Sequence, residues 1–167
     1  MRKLGMFFRY FTITLALAAV VFASGCSKKP KEEESAVPTA VAADENASGD
    51  SDSGKAMGLQ TVNFPYDSFV LDEEAKRVLK SNADIIKAKP SVRIQIEGHC
   101  DQRGGIQYNI ALGEKRANAT KKYLEDLSIS GERITTISFG KERPLDQDTT
   151  EAAYTKNRRA NFVITSR

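Results

Sequence analysis

Hydrophobic positions along the chain fall into runs of different period. The first run is continuous: Phe11 to Ala23 carries only apolar or neutral side chains, too short for a membrane-spanning helix of about 20 residues. From Ser27 to Gly58 the pattern vanishes into Ser, Ala, Gly, Asp, Glu and Pro, with no aromatic residue. It returns at Leu59. Gln60 to Phe64 fits a short strand ended by Pro65, and Leu71, Ala75, Val78, Leu79, Ile85 and Ile86 then recur at helical spacing. Asp72 is placed to cap that helix, and Lys89 and Pro90 stop it. Next, Val92, Ile94 and Ile96 alternate with Arg93, Gln95 and Glu97, the period of a strand with one face in a core and the other in water.

A second helix is expected from Gly105 or Ile106 to Leu127, with Tyr108, Leu112, Ala119, Tyr123 and Leu127 along one side. Strands fit "TTISFG" at 135–140 and "ANFVIT" at 160–165. Between them the chain begins as a loop, then offers Thr150 as the cap of a short helix through Ala152, Ala153 and Tyr154. The order βαβαβ(α)β predicts an α+β domain, a small mixed sheet of about four strands with two main helices packed on one face. Residues 59–167 suffice for one such domain with a modest core.

The N-terminal run gains meaning from its flanks. Arg2, Lys3 and Arg9 precede it without any acidic residue, and Ser24 and Gly25 separate it from Cys26, so residues 1–25 read as a secretory leader. "ASGC" resembles the lipobox of bacterial lipoproteins, with Ala23 where leucine is commonest. The resemblance implies that Cys26 is lipidated, and Ser27 after it points to the outer membrane. One acyl chain holds a membrane only marginally, whereas two or more hold it stably. Residues 26–58 then become the anchored cysteine and a disordered tether, since that composition cannot bury enough apolar surface to offset its ordering entropy.

Charge sharpens the picture. The formal excess is +3, and the three basic residues of the leader account for all of it. The remainder is balanced, without the basic excess that marks a nucleic-acid partner. Export would permit disulfides, but with Cys26 acylated the second of the two cysteines, Cys100, has no partner in its own chain.

"EGHCDQRG" at 97–104 gathers the only histidine, a cysteine and an aspartate at the end of the second strand. Successive strand side chains point to opposite faces, so His99 and Cys100 should diverge, which argues against a thiol nucleophile and its base. One His and one Cys side by side also make poor zinc geometry. No catalytic residue, metal or cofactor is expected. His99 fits a satisfied structural histidine as well as a ligand contact.

"IEGHCDQRGGIQYNIALGEKRANATKKYL" at 96–124 resembles the signature of the peptidoglycan-associated lipoprotein family, which shares the C-terminal domain of outer membrane protein A. "VNFPYDSFVL" at 62–71, "SFGKERP" at 138–144 and "EAAYTKNRRANFVI" at 151–164 match in the same order. The resemblance implies an outer membrane protein A-like fold and noncovalent binding of peptidoglycan through the diaminopimelate of its stem peptide. It implies a lipid-anchored outer-membrane protein facing the periplasm, with the propeller protein of the Tol system as partner and a part in envelope integrity and cell division. An anchoring subunit of another envelope machine, such as a secretion apparatus, would use the same domain. A wall-cleaving enzyme would instead depend on Cys100 or His99.

Diaminopimelate presents an ammonium and a carboxylate on one short chain, so its receptor needs an anion and a cation close together. By the resemblance Asp101 takes the ammonium and Arg116 the carboxylate, which a guanidinium can hold with two parallel hydrogen bonds. Leu112, one turn before Arg116, adds an apolar wall. Gly98 and His99 of the motif, and Tyr66 and Asp67 after the first strand, are expected to join the site. Arg103 and the pair Arg158 and Arg159 fit either orienting charges or direct contacts, and Gln102 stands where the family commonly has glutamate. Asp101→Ala and Arg116→Ala are expected to lose the ligand while unfolding close to wild type.

Overall fold

The computed structural model describes residues 49–167. The leader, Cys26 and the tether up to residue 48 lie outside the described residues. The elements follow the expected order: β1 (Val62–Asn63), α1 (Glu73–Lys87), β2 (Arg93–His99), α2 (Ile106–Asp126), β3 (Ile134–Gly140), α3 (Glu151–Asn157) and β4 (Arg159–Ser166). The four strands form one mixed sheet in the order β1-β4-β2-β3. β4 is antiparallel to both β1 and β2, and β3 lies parallel to β2. The parallel pair is joined by α2, the helical crossover such a pair requires.

Local chemistry sets the helix starts. Asp72 accepts from the Ala75 amide at 2.8 Å and caps α1, and Thr150 accepts from the Ala153 amide at 3.2 Å and caps α3. α2 ends where Ser128 turns left-handed, at φ 68°. Ile94 and Ile96 of β2, Ile134 of β3 and Phe162 and Ile164 of β4 are buried in one cluster with Leu79, Ala83 and Ile86 of α1 and Ala117 and Leu124 of α2. That cluster is the core, and both main helices meet it. Asn82, fully buried on α1, exchanges hydrogen bonds with the backbone of Gln60 at 2.8 and 2.9 Å, which fixes the approach to β1.

Two expectations need correction. The tether was expected to run free to Gly58, yet residues 49–58 are built onto the domain. Asp50 bridges Val163, the Ser51 amide donates to Phe162 O and the Ile164 amide to Gly49 O. Asp52 pairs with Arg159 at 2.8 Å, and Ala56 is buried in the core. Hydrogen bonds and an ion pair, more than apolar burial, hold this strap, so its polar composition concealed it.

The second correction concerns α2. Its buried side is Asn109, Leu112, Gly113, Arg116, Ala117, Thr120 and Leu124, while Tyr108, expected on the apolar stripe, is 55% exposed. Small residues let this helix sit close to the sheet: a Cβ on Gly98 of β2 would fall 1.9 Å from Gly113 O. The helix therefore crosses β2 nearly backbone to backbone.

Candidate functional site

β2 ends at His99, and the chain turns outward before entering α2. Gly104 makes that turn with φ 83°, a left-handed conformation that glycine adopts without steric cost. The loop after β1 reaches the same place. Between them lies an open cleft of about 220 Å³, lined by Tyr66, Asp67, Cys100, Asp101, Arg103, Gly104, Tyr108, Asn109, Leu112 and Arg116. Six of the expected ligand residues meet here: Tyr66, Asp67, Asp101, Arg103, Leu112 and Arg116.

Arg116 is fully buried apart from its place in the cleft wall. Its Nε donates to Ser68 O at 2.8 Å, Nη1 to His99 O at 2.8 Å and Nη2 to Pro65 O at 3.2 Å. A guanidinium has five N–H donors, one on Nε and two on each terminal nitrogen. One N–H on Nη1 and one on Nη2 are therefore left without a partner among these contacts. Burial pulls the group below its ordinary pKa, opposed by Cys100 and Asp101 nearby, and an arginine remains charged under such a shift. The three carbonyls it holds belong to the end of β2 and the loop after β1, so this one cation also ties the two sides of the cleft together. Within that loop Asp67 is held left-handed at φ 50°, and the Tyr108 hydroxyl donates to its carboxylate.

Asp101 is equally well tied. Its Oδ1 accepts from the Arg103 amide at 3.1 Å and from Arg103 Nε at 3.2 Å, and its Oδ2 accepts from Arg103 Nη2 at 2.6 Å and Arg158 Nη1 at 3.3 Å. Burial pushes this carboxyl upward, but the hydrogen bonds from Arg103 and then Arg158 outweigh it and hold the group below its ordinary range. The Arg103 guanidinium lies 4.1 Å from the ring centre of Tyr66 and 4.3 Å from that of Tyr154, and reaches Glu151 at 3.2 Å. Gln102 points away to the Tyr154 hydroxyl at 3.1 Å.

The adjacent arginines point apart where α3 gives way at Arg158 and β4 begins at Arg159. Arg158 turns to Asp101, Glu151 and Phe64 O, and supports the cleft from behind, whereas Arg159 turns to Asp52 in the strap. Asn109 is a cleft residue that the sequence pattern does not single out, and Tyr108, expected on the apolar stripe, lines the cleft instead. Asn109 closes the loop by donating to Arg103 O at 2.7 Å. Its position in the first turn of a helix that follows two glycines was the available signal.

Gly98 and His99 do not join the cleft. Gly98 is the point of closest helix–sheet approach. The His99 ring is buried on the far side of β2, stacked on Phe139 at 5.6 Å, with Nε2 3.5 Å from Glu97 and neither ring nitrogen hydrogen-bonded. Only its carbonyl serves the site, through Arg116. The Cys100 thiol points the other way, donating to Asn109 O at 3.3 Å, and burial raises its pKa. Ring and thiol thus face apart and cannot form a nucleophile and base. Among the described residues no three His, Cys, Asp or Glu side chains gather as a metal site, and no helix is long and apolar enough to cross a membrane.

Residues 63–158, from β1 to the residue before β4, match the OmpA family. The peptidoglycan-associated lipoprotein of Pasteurella multocida is 32% identical over 148 residues, 89% of this chain and 93% of the relative. The chain belongs to the peptidoglycan-associated lipoproteins of the OmpA family. Its fold agrees with the crystal structure of the peptidoglycan-associated lipoprotein from Burkholderia pseudomallei, at 36% identity and a TM-score of 0.60, covering 62% of this chain and 88% of that one. The cell wall anchor of the type VI secretion system from Pseudomonas aeruginosa has a TM-score of 0.56 at 20% identity, covering 64% of this chain and 80% of that one. This second likeness is one of fold alone. The α+β sheet-and-helix architecture expected from the sequence is the one observed.

Proposed function

We propose that this chain is an outer-membrane lipoprotein, anchored through Cys26, whose folded domain grips peptidoglycan noncovalently by the diaminopimelate of the stem peptide. Family membership supports the peptidoglycan partner. The observation that carries the chemistry is the cleft wall, where the buried cation Arg116 and the acids Asp101 and Asp67 line one opening. A ligand with an ammonium and a carboxylate a few ångströms apart matches that wall in charge at both ends. Arg116 takes the carboxylate, Asp101 the ammonium, and Leu112 and the exposed faces of Tyr66 and Tyr108 pack on the intervening carbons. Nothing is turned over: the domain holds the wall, and the anchor and tether transmit that hold to the membrane. In this role the chain works with the propeller protein of the Tol system in envelope integrity and division.

Co-sedimentation of the full chain, in detergent, with purified sacculi tests the grip. The chain is expected to pellet and to be released by the free stem tripeptide ending in meso-diaminopimelate. Asp101→Asn, which keeps the side chain's size and removes its charge, is expected to weaken pelleting by about tenfold, the scale of one charge-assisted contact. Pelleting that the tripeptide leaves untouched contradicts the assignment.

A further inference from the structure

Asp101 has no room for a ligand as it stands. A carboxylate offers about four acceptor positions, and each Asp101 oxygen already accepts two hydrogen bonds. Two of those donors are fixed. The Arg103 amide belongs to the turn itself, and the Arg158 guanidinium is buried and bound also to Phe64 O, Thr155 and Glu151. The other two come from the Arg103 side chain, which is 33% exposed. Its guanidinium lies over two tyrosine rings and has a second acid, Glu151, at 3.2 Å. Arg103 is therefore the one donor that can leave.

We propose that Arg103 is the specificity-determining residue of the cleft: it occupies the ammonium's place on Asp101 and yields it only to a ligand whose own carboxylate takes over the guanidinium. This rests on the reading that Asp101 receives the ammonium. Binding is then an exchange of partners. The pair Asp101–Arg103 becomes two pairs, Asp101 with the ligand ammonium and Arg103, beside Arg116, with the ligand carboxylate. A ligand that brings an ammonium alone displaces Arg103 without repairing the loss, because Glu151 is exposed and already in contact. Discrimination thus comes from a penalty on the wrong ligand as much as from contacts to the right one.

Two tripeptides read this directly: L-alanyl-γ-D-glutamyl-meso-diaminopimelate, and the same peptide ending in L-lysine, which lacks only the side-chain carboxylate beside the ammonium. Titration calorimetry of the full chain is expected to show a preference of at least about tenfold for the first peptide. In Arg103→Gln the lysine peptide is expected to bind about tenfold more tightly than to wild type, bringing the two peptides within about threefold. Arg103→Lys, a cation without the planar fork, should restore part of the preference. Equal weakening of both peptides by Arg103→Gln, or no gain for the lysine peptide, overturns the proposal. If wild type binds neither peptide, the assignment of the cleft fails first and takes this inference with it. A second readout needs no variant: the Arg103 Nε–H resonance of wild type should shift when the diaminopimelate peptide saturates the cleft. A resonance that stays in place while the peptide binds also overturns the proposal.

Discussion

In the proposed grip Arg116 serves structure and recognition with the same guanidinium, and substitutions can separate the two. Arg116→Ala leaves the carbonyls of Pro65, Ser68 and His99 without their donor. Each buried acceptor left unpaired costs about 1–3 kcal/mol, so the urea midpoint should fall markedly. The sequence-based expectation that this variant unfolds like wild type is accordingly replaced. Arg116→Lys keeps the charge but has three donors in place of five, and should recover part of the stability and little of the peptide affinity. His99 supplies a pH dependence of definite sign. Burial holds its pKa below the ordinary 6.5, against the opposing pull of Glu97. The unfolded chain then binds the proton more readily than the folded one, so stability is full above about pH 6.5 and drains as the pH falls through the window below it. Urea unfolding between pH 7.5 and 5 should show this decline, and His99→Gln should flatten it. A slope unchanged in that variant would assign the decline to other groups.

At the scale of elements, the crossing of α2 over β2 places the cleft, since Asp101 follows the strand and Arg116 rides on the helix. Gly98 and Gly113 permit that crossing. Gly98→Ala would put a methyl group 1.9 Å from Gly113 O, and a methyl on Gly113 would meet Ser138 Oγ at 2.3 Å. Backbone cannot yield as a flexible side chain does, so Gly98→Ala should cost at least the 1–3 kcal/mol typical of overpacking, about a fivefold or greater change in the folding equilibrium. Peptide affinity should fall with it as the helix is pushed off. Calorimetric unfolding alongside peptide titration checks both. Most elements were legible in the sequence: alternation in 92–97 and the Asp72 and Thr150 caps located strands and helices, because apolar period and side-chain oxygens report them directly. The inward face of α2 was not. It buries Asn109, Gly113, Arg116 and Thr120, and a contact made by absent side chains and by a charge satisfied on backbone carbonyls leaves no hydrophobic trace. For the same reason only the family signature points to Asp101 and Arg116, and the sequence does not choose between two roles for Arg158 behind them.

Across the whole molecule the strap joins residues 49–58 to β4, which begins at Arg159 directly after Arg158. Asp52 accepts from Arg159 Nε and Thr61 Oγ1, both at 2.8 Å, and Asn161 accepts from the amides of Ser51 and Asp52 while donating to Glu97. Arg159 and Asn161 lie more than a hundred residues from the strap in sequence, so the local pattern of residues 49–58 carries no sign of them. A pull on the chain ahead of Gly49 would enter the domain at this strap before it reached the cleft. Asp52→Ala would strand Arg159, nearly buried at 4% exposure, and should cost about 3–5 kcal/mol for an uncompensated buried charge. Chains beginning at Gly49 and at Leu59 give the wider comparison: the shorter one lacks Asp50, Ser51, Asp52 and Ala56, and should unfold at clearly lower urea. Tripeptide affinity should change little in conditions where both are folded, since no strap residue lines the cleft. Equal midpoints for the two chains would return residues 49–58 to the tether.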